Sequence, residues 1–236
     1  MKFRFLFLVS LMLLGAGCVS HTVQEAYPVG KIYNDSIEFR GMSVPLPEGD
    51  WQVIGRGKAD KRNFDELVLT VIKENKPGKA LLIARDTAKN KYTGYWPNKY
   101  LQRTNILFTE VTQNTMGKPL DGWLINHIRP GFGKKDSEAV RDAYEYMTAN
   151  KLVLPGNFIE SRHILTGKRI KCRYLSYSYL INPETDGFEA PENAEWGASD
   201  WNVIKINGDP KKVAYIERFK KENAELHSKL RNAFDF

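Results

Sequence analysis

The 236-residue chain predicts an α+β fold: a mainly antiparallel, twisted sheet of about six to eight strands with two helices, one of them C-terminal. Three observations predict it. Short runs rich in β-branched and aromatic residues recur from Ile37 onward. Turn chemistry separates neighbouring runs at hairpin spacing, which makes adjacent strands antiparallel. Helical periodicity is confined to two segments, placed between and after the strand runs rather than alternating with them.

The strands follow in order. Ile37 to Leu46 and Trp51 to Arg56 flank Pro47-Glu48-Gly49-Asp50. Phe64 to Glu74 and Lys79 to Arg85 flank Lys76-Pro77-Gly78, the sharpest turn signal in the chain. Asn105 to Gln113 and Trp123 to Arg129 are joined by a loop ending in Asp121-Gly122, and Ile159 to Leu165 and Arg169 to Ile181 flank Thr166-Gly167-Lys168. Ser137 caps a helix running to about Ala149, with Val140, Ala143, Tyr144 and Met147 on one face. Asp209 at the cap and Pro210 at the first helical position start the second, which runs to about Ala233. No internal repeat or low-complexity stretch interrupts residues 36–236, which read as one domain.

The first residues read as an address. Met1-Lys2-Phe3-Arg4 is cationic, Phe5 to Leu14 is an apolar run too short to span a bilayer, and Gly15-Ala16-Gly17 leads into Cys18. This segment resembles the lipobox signal of bacterial lipoproteins, with Leu14 one step further upstream than the pattern places its apolar residue. The resemblance implies a signal peptide over 1–17, a lipidated Cys18 carrying acyl chains such as palmitate, and a tether over 18–35 on which Tyr27 and Tyr33 can dock. With Val19 and not Asp after the Cys, it implies attachment to the outer membrane, facing the periplasm. Two or three acyl chains suffice for a stable anchor.

Removing 1–17 takes away Lys2 and Arg4 and no acids, so the net charge falls from +7 to +5. That excess is too mild for a nucleic-acid partner. With Cys18 lipidated, Cys172 has no partner for an internal disulfide and reads as a small buried hydrophobe.

Each candidate site competes with an ordinary packing role. The segment Lys89 to Arg103 mixes Tyr92, Tyr95, Trp96 and Tyr100 with Lys89, Lys91, Lys99 and Arg103 in a long connection. Such a surface suits a glycan or an anionic headgroup; its alternative is a loop with its aromatics folded onto the sheet. Ile216, Phe219, Asn223, Leu226, Leu230 and Ala233 form a short heptad seam, either a partner helix or an amphipathic helix packed on the sheet. Gly131 to Asp136 has neither P-loop nor dinucleotide spacing, and Asn182 to Gly187 imitates a calcium loop but carries Asn193 where the bidentate acid belongs. His127 and His163 sit in strands, and no His or Cys is spaced for a metal. No G-x-S-x-G elbow occurs, although a dispersed Ser-His-Asp triad needs no sequence proximity. No cofactor or catalytic residue is indicated. The element order loosely resembles small accessory domains beside photosystem and envelope assemblies, a likeness without a motif. The expectation is a lipid-anchored envelope protein that binds or scaffolds an envelope protein or glycan. The alternatives are a periplasmic hydrolase of envelope polymers and an accessory subunit of a transport or secretion assembly.

Overall fold

The computed structural model describes residues 22–58, 64–86, 96, 101–116, 118–130, 136–167, 174–192 and 198–234. Its centre is an eight-stranded, wholly antiparallel sheet: β1 (Ile32–Tyr33), β4 (Trp51–Lys58), β5 (Phe64–Lys73), β6 (Lys76–Asp86), β10 (Tyr174–Ile181), β9 (Phe158–Thr166), β8 (Leu120–Ile128) and β7 (Ile106–Asn114), in that spatial order. Two meanders therefore meet edge to edge. β4-β5-β6 forms one, β7-β8-β9-β10 the other, and the β6–β10 pair closes the seam with Leu175 opposite Arg85 and Ile181 opposite Lys79. A separate ribbon joins β2 (Ser36–Glu38) to β3 (Ser43–Pro45). The helices among the described residues are α1 (Val23–Ala26), α2 (Glu138–Ala149), α3 (Val203–Ile206) and α4 (Pro210–Phe234), with a single 3₁₀ turn at Pro183–Asp186. The sheet-rich α+β architecture and its C-terminal helix are those that the alternation of the sequence predicts.

Strand alternation divides the core between the two faces of the sheet. On one face Leu67, Leu69, Leu81, Ile83, Leu175, Tyr177, Ile159, Leu165, Trp123 and Ile125 are fully or almost fully buried beneath α4 and the β2–β3 ribbon. From the ribbon come Ile37, Phe39 and Val44; from α4 come Ile216, Phe219, Leu226, Leu230 and Phe234. On the opposite face α2 lies over β4, where Ile54 packs with Ala143 and Met147. A third, smaller cluster of Trp96, Ile106, Leu120 and Leu124 lies apart from both.

Both long helices start where their caps dictate. The Ser137 hydroxyl accepts from Val140 N at 3.3 Å, and Asp209 Oδ1 accepts from Lys211 N at 3.0 Å and Lys212 N at 3.2 Å. The buried stripe of α2 is Ala139, Ala143 and Met147. Tyr144, expected on that stripe, is 45% exposed, because the helix rests on its small residues and turns the ring outward.

Two further expectations differ from the structure. The 74–75 turn, not Lys76-Pro77-Gly78, reverses the chain between β5 and β6. Glu74 and Asn75 take φ of 52° and 61°, a left-handed pair that suits the right-handed twist of a hairpin. Pro77 and Gly78 lie inside β6, where the register shifts between Val71 and Ile72. Residues 22–35, expected as a tether on which Tyr27 and Tyr33 dock, do place both rings against the body but pack on it along more of their length. Thr22 and Glu25 form a capping box, Val23 and Tyr27 are buried, and Ile32 and Tyr33 pair with β4. A single helical turn and a two-residue strand are too short to leave a periodic signal.

Candidate functional site

The face under α2 holds a cavity of about 220 Å³. Its floor is the middle of the sheet: Val68 and Thr70 from β5, Ala80 and Leu82 from β6, Ser178 and Leu180 from β10, Phe158, Glu160 and Arg162 from β9. Ile54, Val140, Ala143, Met147 and Leu154 wall one side, and Ile128 to Pro130 the other. Small side chains at Ala80 and Ser178 leave room at the point where the two meanders meet. Nearly all of the wall is hydrocarbon.

The roof is fixed by close approach of helix to strand. A Cβ added at Gly55 would collide with Ala139 O and lie 2.8 Å from Ala143 N; at Gly57 it would lie 2.6 Å from Glu138 Cβ. Only glycine lets α2 sit this near β4. Glu138 then ties the helix down, its Oε2 accepting from Lys58 N at 3.1 Å and its Oε1 from Gln24 Nε2 at 3.2 Å.

One carboxylate stands in this wall. Glu160 is 1% exposed, and its Oε1 accepts from both Nε and Nη2 of Arg162 at 3.1 and 2.9 Å. Its Oε2 is buried and accepts nothing from the described residues. Directly across the β8–β9 pair stands Asn126, 3% exposed, whose Oδ1 is likewise without a donor among the described residues.

The opposite face carries a buried polar chain between the sheet and α4. Ser161 Oγ lies 2.8 Å from His163 Nε2, His163 Nδ1 lies 3.1 Å from His227 Nδ1, and His227 Nε2 lies 3.1 Å from Asp121 Oδ1. Arg231 pairs with the other Asp121 oxygen at 3.2 Å. Trp123 stacks on His163 with an interplanar angle of 11°. Burial, with His227 beside it, holds His163 down to about 3, and burial also lowers His227 against the opposing pull of Asp121. With both rings neutral, a carboxylate at one end fixes every donor. His227 Nε2–H donates to Asp121, His163 Nδ1–H donates to His227, and the Ser161 hydroxyl donates to His163. Asn223 is oriented by its Nδ2, which donates to Phe219 O at 2.8 Å; its Oδ1 then lies 3.3 Å from the lone pair of His163 Nε2, a contact that carries no hydrogen bond in this tautomer. Ser161 and His163 are both 0% exposed. The order of groups imitates a hydrolytic relay, but the hydroxyl is sealed in the core, where it fastens α4 to the sheet.

Ile216, Phe219, Leu226 and Leu230 are buried against the chain's own sheet, so the heptad seam is part of the core. Trp96 is 7% exposed and packs with Ile106, Leu120 and Leu124; its N–H and C=O are both bonded to the Asn114 side chain. Its expected companions Tyr92, Tyr95, Lys99 and Tyr100 lie outside the described residues, as do Cys18, Cys172 and Gly131 to Lys135. Asn182 to Gly187 is a capped turn whose acids are engaged: Glu184 bonds Lys76 Nζ and Gly156 N, and Asp186 accepts from the Tyr215 hydroxyl. Among the described residues no group of three His, Cys, Asp or Glu is arranged to hold a metal ion.

Sequence reasoning missed the cavity and the role of His227. Gly55 and Gly57, two glycines inside an apolar strand, were the available signal for a helix in close contact. Comparison with known protein families, with curated proteins and with solved structures finds no match.

Proposed function

We propose that this chain is a lipid-anchored cell-envelope protein of the binding type, held to the outer membrane through Cys18 and facing the periplasm, whose cavity beneath α2 takes a small apolar guest. The cavity carries this reading. Its volume of about 220 Å³ exceeds the ~150 Å³ that suffices to hold benzene, and its wall is hydrocarbon broken by few polar groups. The anchor rests on the cationic, apolar and small-residue order ahead of Cys18. No helix among the described residues is long and apolar enough to cross a membrane.

Binding is favoured over hydrolysis for a specific reason. The described residues lining the cavity include one carboxylate and no histidine, and the serine–histidine contact of Ser161 with His163 is fully buried on the other face. A hydrolase needs its nucleophile or acid pair within reach of substrate.

Addition of 4-ethyltoluene to the purified chain should shift the methyl resonances of Met147, Leu82 and Leu180 and raise the unfolding temperature. Ala80→Phe, which fills the floor, should abolish both effects while leaving the fold intact. Unchanged spectra in the wild-type chain would overturn the cavity reading. In cells, Cys18→Ser should move the chain from the membrane to the soluble fraction; retention would overturn the anchor.

A further inference from the structure

Resting on that cavity, we infer that the guest is a neutral amphiphile of roughly nine heavy atoms, with a hydrocarbon body and a single hydrogen-bond-donating hydroxyl that meets Glu160. Two buried acceptors beside one another lack donors among the described residues. Glu160 lines the cavity, two Arg162 bonds go to its Oε1, and buried Oε2 receives none from the described residues. Asn126 presents another such oxygen beside it. A buried carboxylate oxygen left without a donor is costly, and a guest that supplies the donor recovers that cost on binding.

The charge of the wall selects the kind of donor. Arg162 stands with Glu160 among the lining residues and already neutralises its carboxylate. An ammonium head would add an uncompensated positive charge to that pair. A carboxylate head would meet Glu160 lone pair to lone pair. A hydroxyl suffers neither and donates a charge-assisted bond. Size follows from volume: benzene, at six heavy atoms, is held in ~150 Å³, so about 220 Å³ takes a ring with a two- or three-atom extension. A phenol with a short alkyl substituent, or a terpenoid-like alcohol of similar bulk, meets every condition.

The test compares 4-ethylphenol with 4-ethyltoluene, which differ by hydroxyl against methyl at equal heavy-atom count. Titration of each into the full chain, followed by isothermal calorimetry and by methyl chemical shifts, should give about tenfold or more tighter binding of the phenol. In Glu160→Gln the bond to the hydroxyl loses its charge, and the ratio should fall to about threefold or less. Ala80→Phe should abolish binding of both probes, which locates them. Equal affinities in the wild-type chain overturn the hydroxyl inference while leaving the apolar cavity standing. They are the result expected if the Asn126 amide turns to place its N–H₂ toward Glu160 and satisfies it internally. Binding of neither probe overturns both the cavity and its guest.

Discussion

Lowering the pH from 7.5 to 5 should destabilise this protein by about 4 kcal/mol through two histidines alone. His163 is held down to about 3 by burial and by its neighbour His227, and His127 to about 4 by burial. Both are 0% exposed, and neither ring nitrogen of His127 has a partner among the described residues. In the unfolded chain each histidine titrates near 6.5, so at pH 5 the unfolded state carries nearly two protons that the folded state refuses. A folded-state pKa below the unfolded value places the stability above pH 6.5, and it drains away as pH falls toward 4 and then 3. pH 5 lies about 1.5 units below the unfolded pKa and above both folded values, so at ~1.36 kcal/mol per unit each histidine costs about 2 kcal/mol. His227, lowered by burial, adds in the same direction. Urea unfolding followed by tryptophan fluorescence at several pH values gives the slope. His127→Leu keeps the volume, removes the unpartnered ring and should return about half of the loss at pH 5. A midpoint that holds steady or rises between pH 7.5 and 5, in wild type and variant alike, would refute the assignment of neutral, buried imidazoles.

Other expectations concern packing. Gly55→Ala drives a methyl group into Ala139 O and should cost about 1–3 kcal/mol in chemical denaturation; a change below about 0.5 kcal/mol would mean that α2 does not press on β4. Phe219→Ala removes a ring that is 1% exposed and packs on Tyr179 at 5.4 Å, and should cost about 3–5 kcal/mol. Ile216→Glu with Leu226→Glu puts two unpaired carboxylates into the same core and should abolish folding, read as loss of cooperative unfolding. Ser137→Ala removes the α2 cap and should cost about 1 kcal/mol in thermal unfolding without displacing the C-terminal helix.

What could be read in advance was local. Alternating apolar residues with turn chemistry between them marked the strands, since a hairpin draws its register from a few neighbouring residues. Ser137 and the Asp209-Pro210 pair marked the helix starts for the same reason. The misplaced 74–75 turn shows the limit of such signals: Pro77 and Gly78 are turn formers, yet β6 absorbs them at a register shift. Relations between distant residues left no trace. His163 and His227 are 64 positions apart, and only the docking of α4 brings them to 3.1 Å. Glu160 lies between Ile159 and Ser161 on a strand that alternates, so it reads as an outward-facing charge until α2 is placed above it. The heptad seam was visible as a stripe; whether it meets a partner or its own sheet is decided by topology, not by spacing.

The edge-to-edge union of the two meanders has a consequence for synthesis. β6 ends at Asp86, but the strand that pairs with its far side begins at Tyr174. Throughout the intervening growth of the chain, β6 carries a row of unanswered amides and carbonyls along with Leu81 and Ile83, the kind of open template to which another copy can add. The β7–β10 meander faces the same hazard along β10 until it finds β6. Both hazards end in a single late event, the zipping of one strand pair, and on a parity rule: a slip of one residue would turn Tyr177 and Leu175 from core to cavity and Ser178 from cavity to core. Nascent chains halted before residue 174 should therefore be the aggregating species, whereas those released after Ile181 should fold.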